Sequence, residues 1–310
     1  MSLGASSRDH AAEVELLGER VRIERIGTNG DLRRAVELVR ELDGAVDAIG
    51  MGGIDLYVRA GGRRYAFRDA QRMARAAQRT PIVDGSGLKD SLERRLVGFL
   101  QDELQMDLAG RRVLMVAAVD RFGMAEELAR RGADVVFGDL MFGLGIPIPL
   151  RSLRQLERVA FVALPVITRL PFKWLYPVGE KQEEVRPRHV GYFRWADVIA
   201  GDFHFIRRSL PPDLSGKVIV TNTITPRDTA LLRERGVARV ITSTPNLGGR
   251  SFGTNVIEAV LVALSGRRPD ELTPSDYLSL LDRIGFRPRV EEFSSAPLSD
   301  RPDLAAQRDG

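Results

Sequence analysis

The chain has 310 residues, 44% of them hydrophobic, which is enough for two folded units of ordinary size. Lysine and arginine total 46 against 42 aspartates and glutamates, giving a net charge of +4. The basic residues alternate with acidic ones instead of forming blocks, so we expect no nucleic-acid partner.

The chain contains no cysteine, which excludes disulfides, thiolate metal sites and a cysteine nucleophile. Its histidines, His10, His189 and His204, lack the helical spacing of zinc motifs, so we expect no metal site. The first ten residues are too polar for a secretory signal, and no apolar run is long enough to span a bilayer. We therefore expect a soluble, cytoplasmic protein without an integral membrane segment.

Strands and helices alternate through residues 1–108. A two-residue apolar period predicts strands over 12–26, and Asp31 begins an amphipathic helix. Two alternating runs around a glycine pair then predict a hairpin. A short buried strand at 81–84 leads through a glycine turn into a helix that carries Lys89. These elements predict an N-terminal α/β domain.

The stretch 112–139 predicts a buried strand, a tight turn, a helix and a second strand that ends in an acid. This is the opening unit of a dinucleotide-binding sheet. The turn lacks two of the three glycines of the G-x-G-x-x-G fingerprint, and only Gly123 remains. Three further strands, near 195–202, 217–222 and 238–245, predict a C-terminal Rossmann-like, doubly wound parallel sheet over 109–290.

Two segments stand apart from this alternation. Residues 153–176 are strongly apolar but interrupted by proline and arginine, which predicts a buried helix or the interface of a homodimer. Contact with a membrane surface is the alternative interpretation. Residues 296–310 are rich in proline, serine, aspartate and arginine, and we expect a disordered tail.

Polar residues follow the predicted strands, where open α/β sheets bind ligands. Asp120, Asp139, Asp202 and Asn222 occupy these strand ends. Asp139 suits a ribose hydroxyl, which favours NAD over NADP, whereas Asp120 either faces the cofactor or caps the following helix. Arg121 either pairs with a phosphate or is simply solvated.

A glycine-rich stretch, 248–255, precedes an apolar helix. Arg250, Ser251 and Gly253 give it the composition of an anion-binding loop at a helix N-terminus. The alternative is a tight turn that only introduces the helix. No Gly-Lys-Ser/Thr follows, so kinase or ATPase chemistry is not expected.

Lys89 is one of four lysines in an arginine-rich chain and follows a buried strand and a flexible turn. A lysine with a lowered pKa transfers protons, which arginine does not readily do. Asp84 is either its carboxylate partner or a strand-end cap. The alternative for Lys89 is an exposed residue in the first turn of a helix.

The whole order resembles the shikimate/quinate dehydrogenase superfamily, and more specifically the bacterial family labelled quinate 5-dehydrogenase. The resemblance covers about residues 1–266. Its matching pieces are 2–10, 83–89, 196–201, 217–222 and 249–255.

The resemblance implies a substrate domain followed by an NAD(P) domain. By position, Lys89 matches the family's catalytic lysine, Ser6 and Ser7 match serines that hold the substrate carboxylate, and Asn255 matches a substrate contact on the final helix. The family's Asn-Thr-Asp-Gly motif is missing, and Asp102 lies in the interval where its aspartate is expected.

Two functions follow from the sequence. The first is an oxidoreductase that transfers a hydride between NAD(P) and a small hydroxylated carboxylic acid such as quinate or shikimate, with Lys89 as proton shuttle. The second is a binding protein for an anion or nucleotide on the same scaffold, without dehydrogenase activity. The expected catalytic residues are Lys89, Asp84 and Asp102, and the expected cofactor contacts are Asp120, Arg121, Gly123, Asp139, Asp202, Asn222, Arg250, Ser251 and Gly253.

Overall fold

The computed structural model describes residues 1–171, 185–244, 246–247, 250–251 and 253–293, with the backbone alone at residues 8, 246, 247, 250 and 251. The strands are β1 (His10–Leu16), β2 (Glu19–Arg25), β3 (Ile49–Gly50), β4 (Tyr57–Ala60), β5 (Arg63–Ala66), β6 (Ile82–Val83), β7 (Arg112–Met115), β8 (Asp134–Phe137), β9 (Val198–Ala200), β10 (Val218–Thr221), β11 (Arg239–Thr242), β12 (Asn246–Leu247), β13 (Arg250–Ser251) and β14 (Arg289–Glu292). The α-helices are α1 (Leu32–Leu42), α2 (Arg68–Ala74), α3 (Ser86–Asp102), α4 (Phe122–Arg130), α5 (Leu153–Ile167), α6 (Val190–Trp195), α7 (Phe203–Ser209), α8 (Pro226–Glu234), α9 (Thr254–Ser265) and α10 (Pro274–Arg283).

The largest sheet has six strands in the order β8-β7-β9-β10-β11-β14. Neighbours are parallel from β8 to β11, and β14 closes the edge antiparallel to β11. The predicted parallel strands are therefore present in a mixed α/β fold. The antiparallel edge strand β14 was not expected from the sequence, because three of its four residues are charged and it lies near the end of the described chain.

Helices cover both faces of this sheet. On β7, Val113 and Met115 pack into a core that includes α4 and α5, whereas Leu114 packs into a second core that includes α7 and α8. Successive strand residues point to opposite faces, so a strand buried on both sides is apolar throughout. The sheet is doubly wound, and its strand order reverses between β7 and β9, where such sheets bind ligands.

The first hundred residues form smaller sheets. β1 and β2 make one hairpin, β4 and β5 make the predicted hairpin, and β3 pairs with β6 in parallel. Residues 1–4 lie between two loops, because the backbone of Ser2 bridges both Gly27 and Gly52. The division of the chain into domains 1–108 and 109–290 stays a prediction.

The apolar segment begins with α5, as the sequence predicts. Leu156, Ala160 and Leu164 face the core, while Phe161 and Val162 are exposed on the opposite side. Residues 172–176 of this segment and the predicted tail, 296–310, lie outside the described residues. Within the described part of the chain, no helix combines the length and the apolar composition needed to cross a membrane.

Candidate active site

A cavity of about 380 Å³ lies at the switch point of the large sheet. The ends of β7, β9 and β10 form one wall, and residues of the N-terminal part and of α9 form the others. Its volume is in the range of small-molecule sites. Its polar lining includes Arg25, Asp55, Lys89, Asp120, Asp202 and Asn255.

Lys89, Asp55 and Asp120 form the centre of this cavity, and we call these three residues the Lys89 cluster. The Nζ atom of Lys89 lies 2.6 Å from Oδ1 of Asp120 and 3.6 Å from Oδ1 of Asp55. The side chains are largely buried, with 14% exposure for Lys89 and close to 20% for the two aspartates. Both carboxyls therefore lie beside the same ammonium. The cluster places two carboxyls and one amine together in the wall of the cavity.

The protonation states in the Lys89 cluster differ between the two carboxyls. Burial raises the pKa of Asp55 to about 8, although Lys89 acts in the opposite direction. Burial also acts to raise the pKa of Asp120, but Lys89 and Arg121 outweigh it and hold that pKa well below its ordinary range. One carboxyl therefore carries a proton at neutral pH while its neighbour is ionised.

Arg121 is buried beneath the cluster and ties three elements together. Its guanidinium donates to Glu93 of α3 at 2.6 Å and to Asp202 after β9 at 2.8 Å, and its Nε lies 3.5 Å from Asp120. Asn222 after β10 donates to the same oxygen of Asp202 at 2.8 Å. Arg121 is thus occupied by carboxylates and is not placed as a free phosphate ligand.

Two buried carboxyls hold the start of α3, the helix that presents Lys89. Asp84 accepts hydrogen bonds from the backbone and hydroxyl of Ser86, at 3.1 and 2.6 Å, and from the backbone of Leu56. Glu258 of α9 accepts from the backbone N–H of Gly85 at 2.6 Å. Asp84 therefore binds the first residue of the helix and makes no ion pair with Lys89.

Gly85 allows α3 and α9 to meet closely. Its φ is +96°, and a side chain there would meet the backbone nitrogen of Asn255 at 2.9 Å. Only glycine tolerates both the left-handed conformation and this approach. The start of α3 is consequently fixed against the start of α9, and Lys89 and Asn255 line the same cavity.

The backbone N–H groups in the turn after β7 are bound by a side chain of the protein itself. Oδ1 of Asp139 accepts hydrogen bonds from the backbone N–H groups of Ala118 and Val119, at 3.0 and 2.9 Å. Burial raises the pKa of Asp139 to about 6. In dinucleotide-binding sheets such amides face the pyrophosphate. Here they are occupied, and the next residue, Asp120, places a carboxylate beside them, so this turn does not fit a pyrophosphate.

Gly123, the remaining glycine of the fingerprint, serves helix packing. A side chain there would lie 2.7 Å from the backbone oxygen of Asp90 and 3.1 Å from its Cα. The residue thus lets α4 approach α3 closely, and it makes no wall of the cavity.

The N-terminal part contributes further polar residues to the wall of the cavity. Arg25 donates to Asp9 at 2.7 Å, to the hydroxyl of Ser2 at 3.1 Å and to the backbone of Ala5 at 3.0 Å. These contacts hold the guanidinium in place. Ser2, Arg25 and Asn255 all line the cavity.

The structure brings together most of the residues expected from the sequence. The cavity is lined by Asp84, Lys89, Asp120, Arg121, Asp202, Asn222, Gly253 and Asn255.

Five of the expected residues lie elsewhere. Ser6 hydrogen-bonds to Asn29 outside the cavity, and Ser7 is exposed. Asp102 is exposed at the end of α3, 3.3 Å from Arg131. Gly123 and Asp139 serve packing and the turn, as described above. The side chains of Arg250 and Ser251 fall outside what the structure describes.

Sequence reasoning missed Ser2, Arg25 and Asp55. Asp55 follows two glycines after β3, which is a weak indication of a strand-end site. Arg25 lies at the end of an alternating strand, where its charge is indistinguishable from that of a solvated residue. Among the described residues, no group of His, Asp and Glu side chains is arranged to hold a metal ion.

Two family models match the chain. Residues 87–293 match the family described as "Domain of unknown function (DUF8754)", and residues 1–84 match "Domain of unknown function (DUF8753)". The first match covers more than half of the chain, and the chain belongs to this family. A search of curated proteins found no match to the chain.

Solved structures give only distant similarity. An NAD-dependent malic enzyme from Thermotoga maritima aligns with a TM-score of 0.31 and 15% identity, over 82% of this chain and 70% of the enzyme. A putative malic enzyme (malate oxidoreductase) gives the same values. A structure from Mycobacterium smegmatis aligns with a TM-score of 0.32 and 12% identity, over 86% and 81% of the two chains. Scores this low carry no argument about function, and none of these descriptions names quinate or shikimate dehydrogenase.

Proposed function

We propose that this member of the DUF8754 family is an enzyme that binds a small hydroxylated or keto carboxylic acid in the cavity and exchanges a proton with it at the Lys89 cluster. The observation that carries the proposal is the buried ammonium of Lys89 shared between Asp120 and Asp55 inside a cavity of small-molecule size. Groups with strongly altered pKa values concentrate at functional sites.

The composition of the cluster favours proton transfer. A neutral carboxyl, an ionised carboxyl and an ammonium supply a proton donor, a proton acceptor and a fixed positive charge in one place. Burial strengthens the effect of that charge on a substrate oxygen that becomes negative. A purely structural ion pair needs neither a cavity nor a second, protonated carboxyl.

Further polar residues of the cavity support the substrate class. The hydroxyl of Ser2 and the amide of Asn255 are donors that suit a carboxylate, and the guanidinium of Arg25, which is paired with Asp9, adds positive charge beside Ser2. A cavity that combines these groups with the Lys89 cluster favours a short molecule that carries both a carboxylate and a hydroxyl or ketone. Quinate, shikimate and their keto forms are compounds of this class.

A binding and exchange experiment tests this proposal. Calorimetric titration with quinate and shikimate measures binding, and mass spectrometry of dehydroquinate and dehydroshikimate in D₂O measures exchange of the hydrogens beside the ketone. We expect binding of at least one acid and exchange that falls by about a hundredfold or more in Lys89→Met, because the substitution removes the positive charge that faces the substrate oxygen. Asp102→Asn, which changes an exposed aspartate outside the cavity, is the control and should exchange like the wild type.

Two results would contradict the proposal. Absence of binding and exchange with all four acids would remove the substrate class. Exchange that is equal in Lys89→Met and Asp102→Asn would remove the Lys89 cluster as the reacting centre.

NAD(P)-dependent oxidation of a hydroxylated acid such as quinate or shikimate is the second candidate. It is favoured by the position of the cavity at the switch point of a doubly wound sheet, between Asp202 after β9 and Asp120 after β7. The closed turn at Ala118 and Val119 counts against it, because a dinucleotide would have to bind without the usual pyrophosphate contacts. We therefore assign no step to a nicotinamide.

Cofactor titration separates the two candidates. Calorimetry with NAD and with NADP is followed by an absorbance assay for reduced nicotinamide in the presence of quinate or shikimate. Binding together with nicotinamide reduction supports oxidation. No binding at about millimolar cofactor excludes it and leaves the proton-exchange proposal in place.

A further inference from the structure

We propose that Asp55 is the residue of the Lys89 cluster that gains and loses the proton, and that Lys89 remains an ammonium that holds a negatively charged substrate oxygen. This inference rests on the proposed function and assigns the roles within its site. Sequence reasoning gave the proton transfer to Lys89, so the assignment changes which residue reacts.

The two carboxyls have unequal partners. Asp120 contacts two cations, Lys89 at 2.6 Å and Arg121 at 3.5 Å. Among the cations that the structure describes, Asp55 pairs with Lys89 alone, at the longer distance of 3.6 Å. Because an ion pair stabilises the charged form of a carboxyl, the geometry assigns the negative charge to Asp120.

Two buried carboxyls beside one ammonium do not both ionise readily, because their charges repel in a site that contains little water. Asp55 and Asp120 share the ammonium of Lys89 in this way, and the buried carboxyl of Asp84 adds further negative charge near Asp55. The charges of Asp120 and Asp84 thus oppose ionisation of Asp55, whereas the charge of Lys89 favours it. The proton of the pair resides on Asp55.

The acid strengths agree with this geometry. The pKa of Asp55 is about 8, raised mainly by burial, which is close to the pH at which a cell operates. Burial and Arg121 act to lower the pKa of Lys89, but Asp120, Asp55 and Glu93 outweigh them and raise it. An amine with a raised pKa keeps its proton and contributes charge.

The proton step is balanced within the cavity. Protonated Asp55 gives its proton to a substrate atom that bears negative charge, a bond between that atom and hydrogen forms, and Asp55 becomes a carboxylate. In the reverse direction the carboxylate takes the proton back from the substrate. Lys89 and Asp120 keep their charges in both directions, so no oxidant or further reactant is needed.

Carbon-13 NMR of the full chain, labelled at the aspartate carboxyls, tests the assignment without any substrate. We expect one carboxyl that titrates near pH 8 in the wild type and that disappears in Asp55→Asn. The signal should persist in Asp120→Asn with a lower midpoint, because a repelling neighbour has been removed. In Lys89→Met its midpoint should rise by about one unit or more, because an attracting charge has been removed.

The matched pair of asparagine variants decides the outcome. A signal near pH 8 that survives in Asp55→Asn and disappears in Asp120→Asn would place the proton on the other carboxyl and overturn the inference. Titration of every aspartate below about pH 5 would also overturn it. Circular dichroism confirms that each variant is folded before its spectrum is used.

The same variants distinguish failure of this inference from failure of the proposed function. If no acid binds but the Asp55 signal is present, the assignment of the proton stands and the proposed substrate class is wrong. If exchange occurs in the wild type and persists in Asp55→Asn, the function stands and the role of Asp55 is wrong.

Discussion

Glu258 offers a quantitative test of the energetics around Lys89. This carboxyl is 2% exposed, accepts hydrogen bonds from the N–H of Gly85 and the hydroxyl of Tyr277, and holds the start of α3. Burial, with the charge of Asp84, raises its pKa from an ordinary 4.5 to about 8. The substitution Glu258→Gln keeps the shape and the acceptor for Gly85 but removes the titration.

The sign and size of the effect follow from linkage. A carboxyl that binds its proton more tightly when folded stabilises the protein below its unfolded pKa, and this contribution is lost as pH rises through the folded pKa. At about 1.4 kcal/mol per unit of pKa, the interval from 4.5 to about 8 corresponds to a loss on the order of 3–5 kcal/mol. Between about pH 4 and pH 9, the free energy of unfolding of the wild type should therefore fall by about this amount more than that of Glu258→Gln.

Urea denaturation of both proteins at about pH 5, 7 and 9 measures the difference. The other groups with raised pKa values, such as Asp55 and Glu93, titrate in both proteins and cancel in the comparison. Glu234→Gln, which changes an exposed glutamate of α8, should follow the wild-type curve. Unfolding free energies of wild type and Glu258→Gln that run parallel from pH 5 to pH 9 would refute the reasoning.

Two further predictions concern packing and assembly. Gly123→Ala should lower the free energy of unfolding by about 1–3 kcal/mol, because its Cβ would press on the backbone of Asp90. Gly191→Ala, which meets no atom within 4 Å, is the control, and equal urea midpoints would contradict the packing role. If α5 is a homodimer interface, light scattering should give a dimer mass that Val162→Asp, at a site 71% exposed, reduces to the monomer. Arg40→Asp on α1 should remain dimeric, and a monomeric wild type would contradict the interface.

Much of the fold was predictable because its strands carry clear local patterns. β7, β9 and β10 are buried and apolar on both faces, which is the pattern of buried parallel strands. Asp31 caps α1 by accepting from two backbone N–H groups, as its position at the start of an amphipathic stretch indicates. Such features depend on neighbours within one turn or one strand, so the sequence contains them.

The strand order was less accessible. Nothing local in β14 indicates that it pairs antiparallel with β11, since its charged residues are equally compatible with a surface loop. Pairing is decided by which edge the chain reaches after α10, and that depends on tertiary packing.

The site was predictable where its residues follow strands and unpredictable where distant residues meet. Asp120 was expected at a strand end and Lys89 after a strand and a glycine turn, but not as a pair, because 31 positions separate them. Asp55 approaches from a third element after β3. Resemblance to a dehydrogenase family placed the catalytic aspartate near Asp102, yet that side chain lies on the solvent side of α3. Spacing along the chain gives no information on which carboxyls share an amine.

The altered turn after β7 connects these observations. A glycine at position 120 would leave room for an anion, whereas Asp120 supplies the carboxylate that Lys89 binds. Asp139 then occupies the two amides that remain. A pyrophosphate at this turn and the Lys89–Asp120 pair therefore exclude each other, because the carboxylate of Asp120 lies where a phosphate would bind and repels its negative charge. If NAD binds in the titrations, its phosphates must lie away from this turn, and the chemistry of the cavity must be built around the ammonium of Lys89.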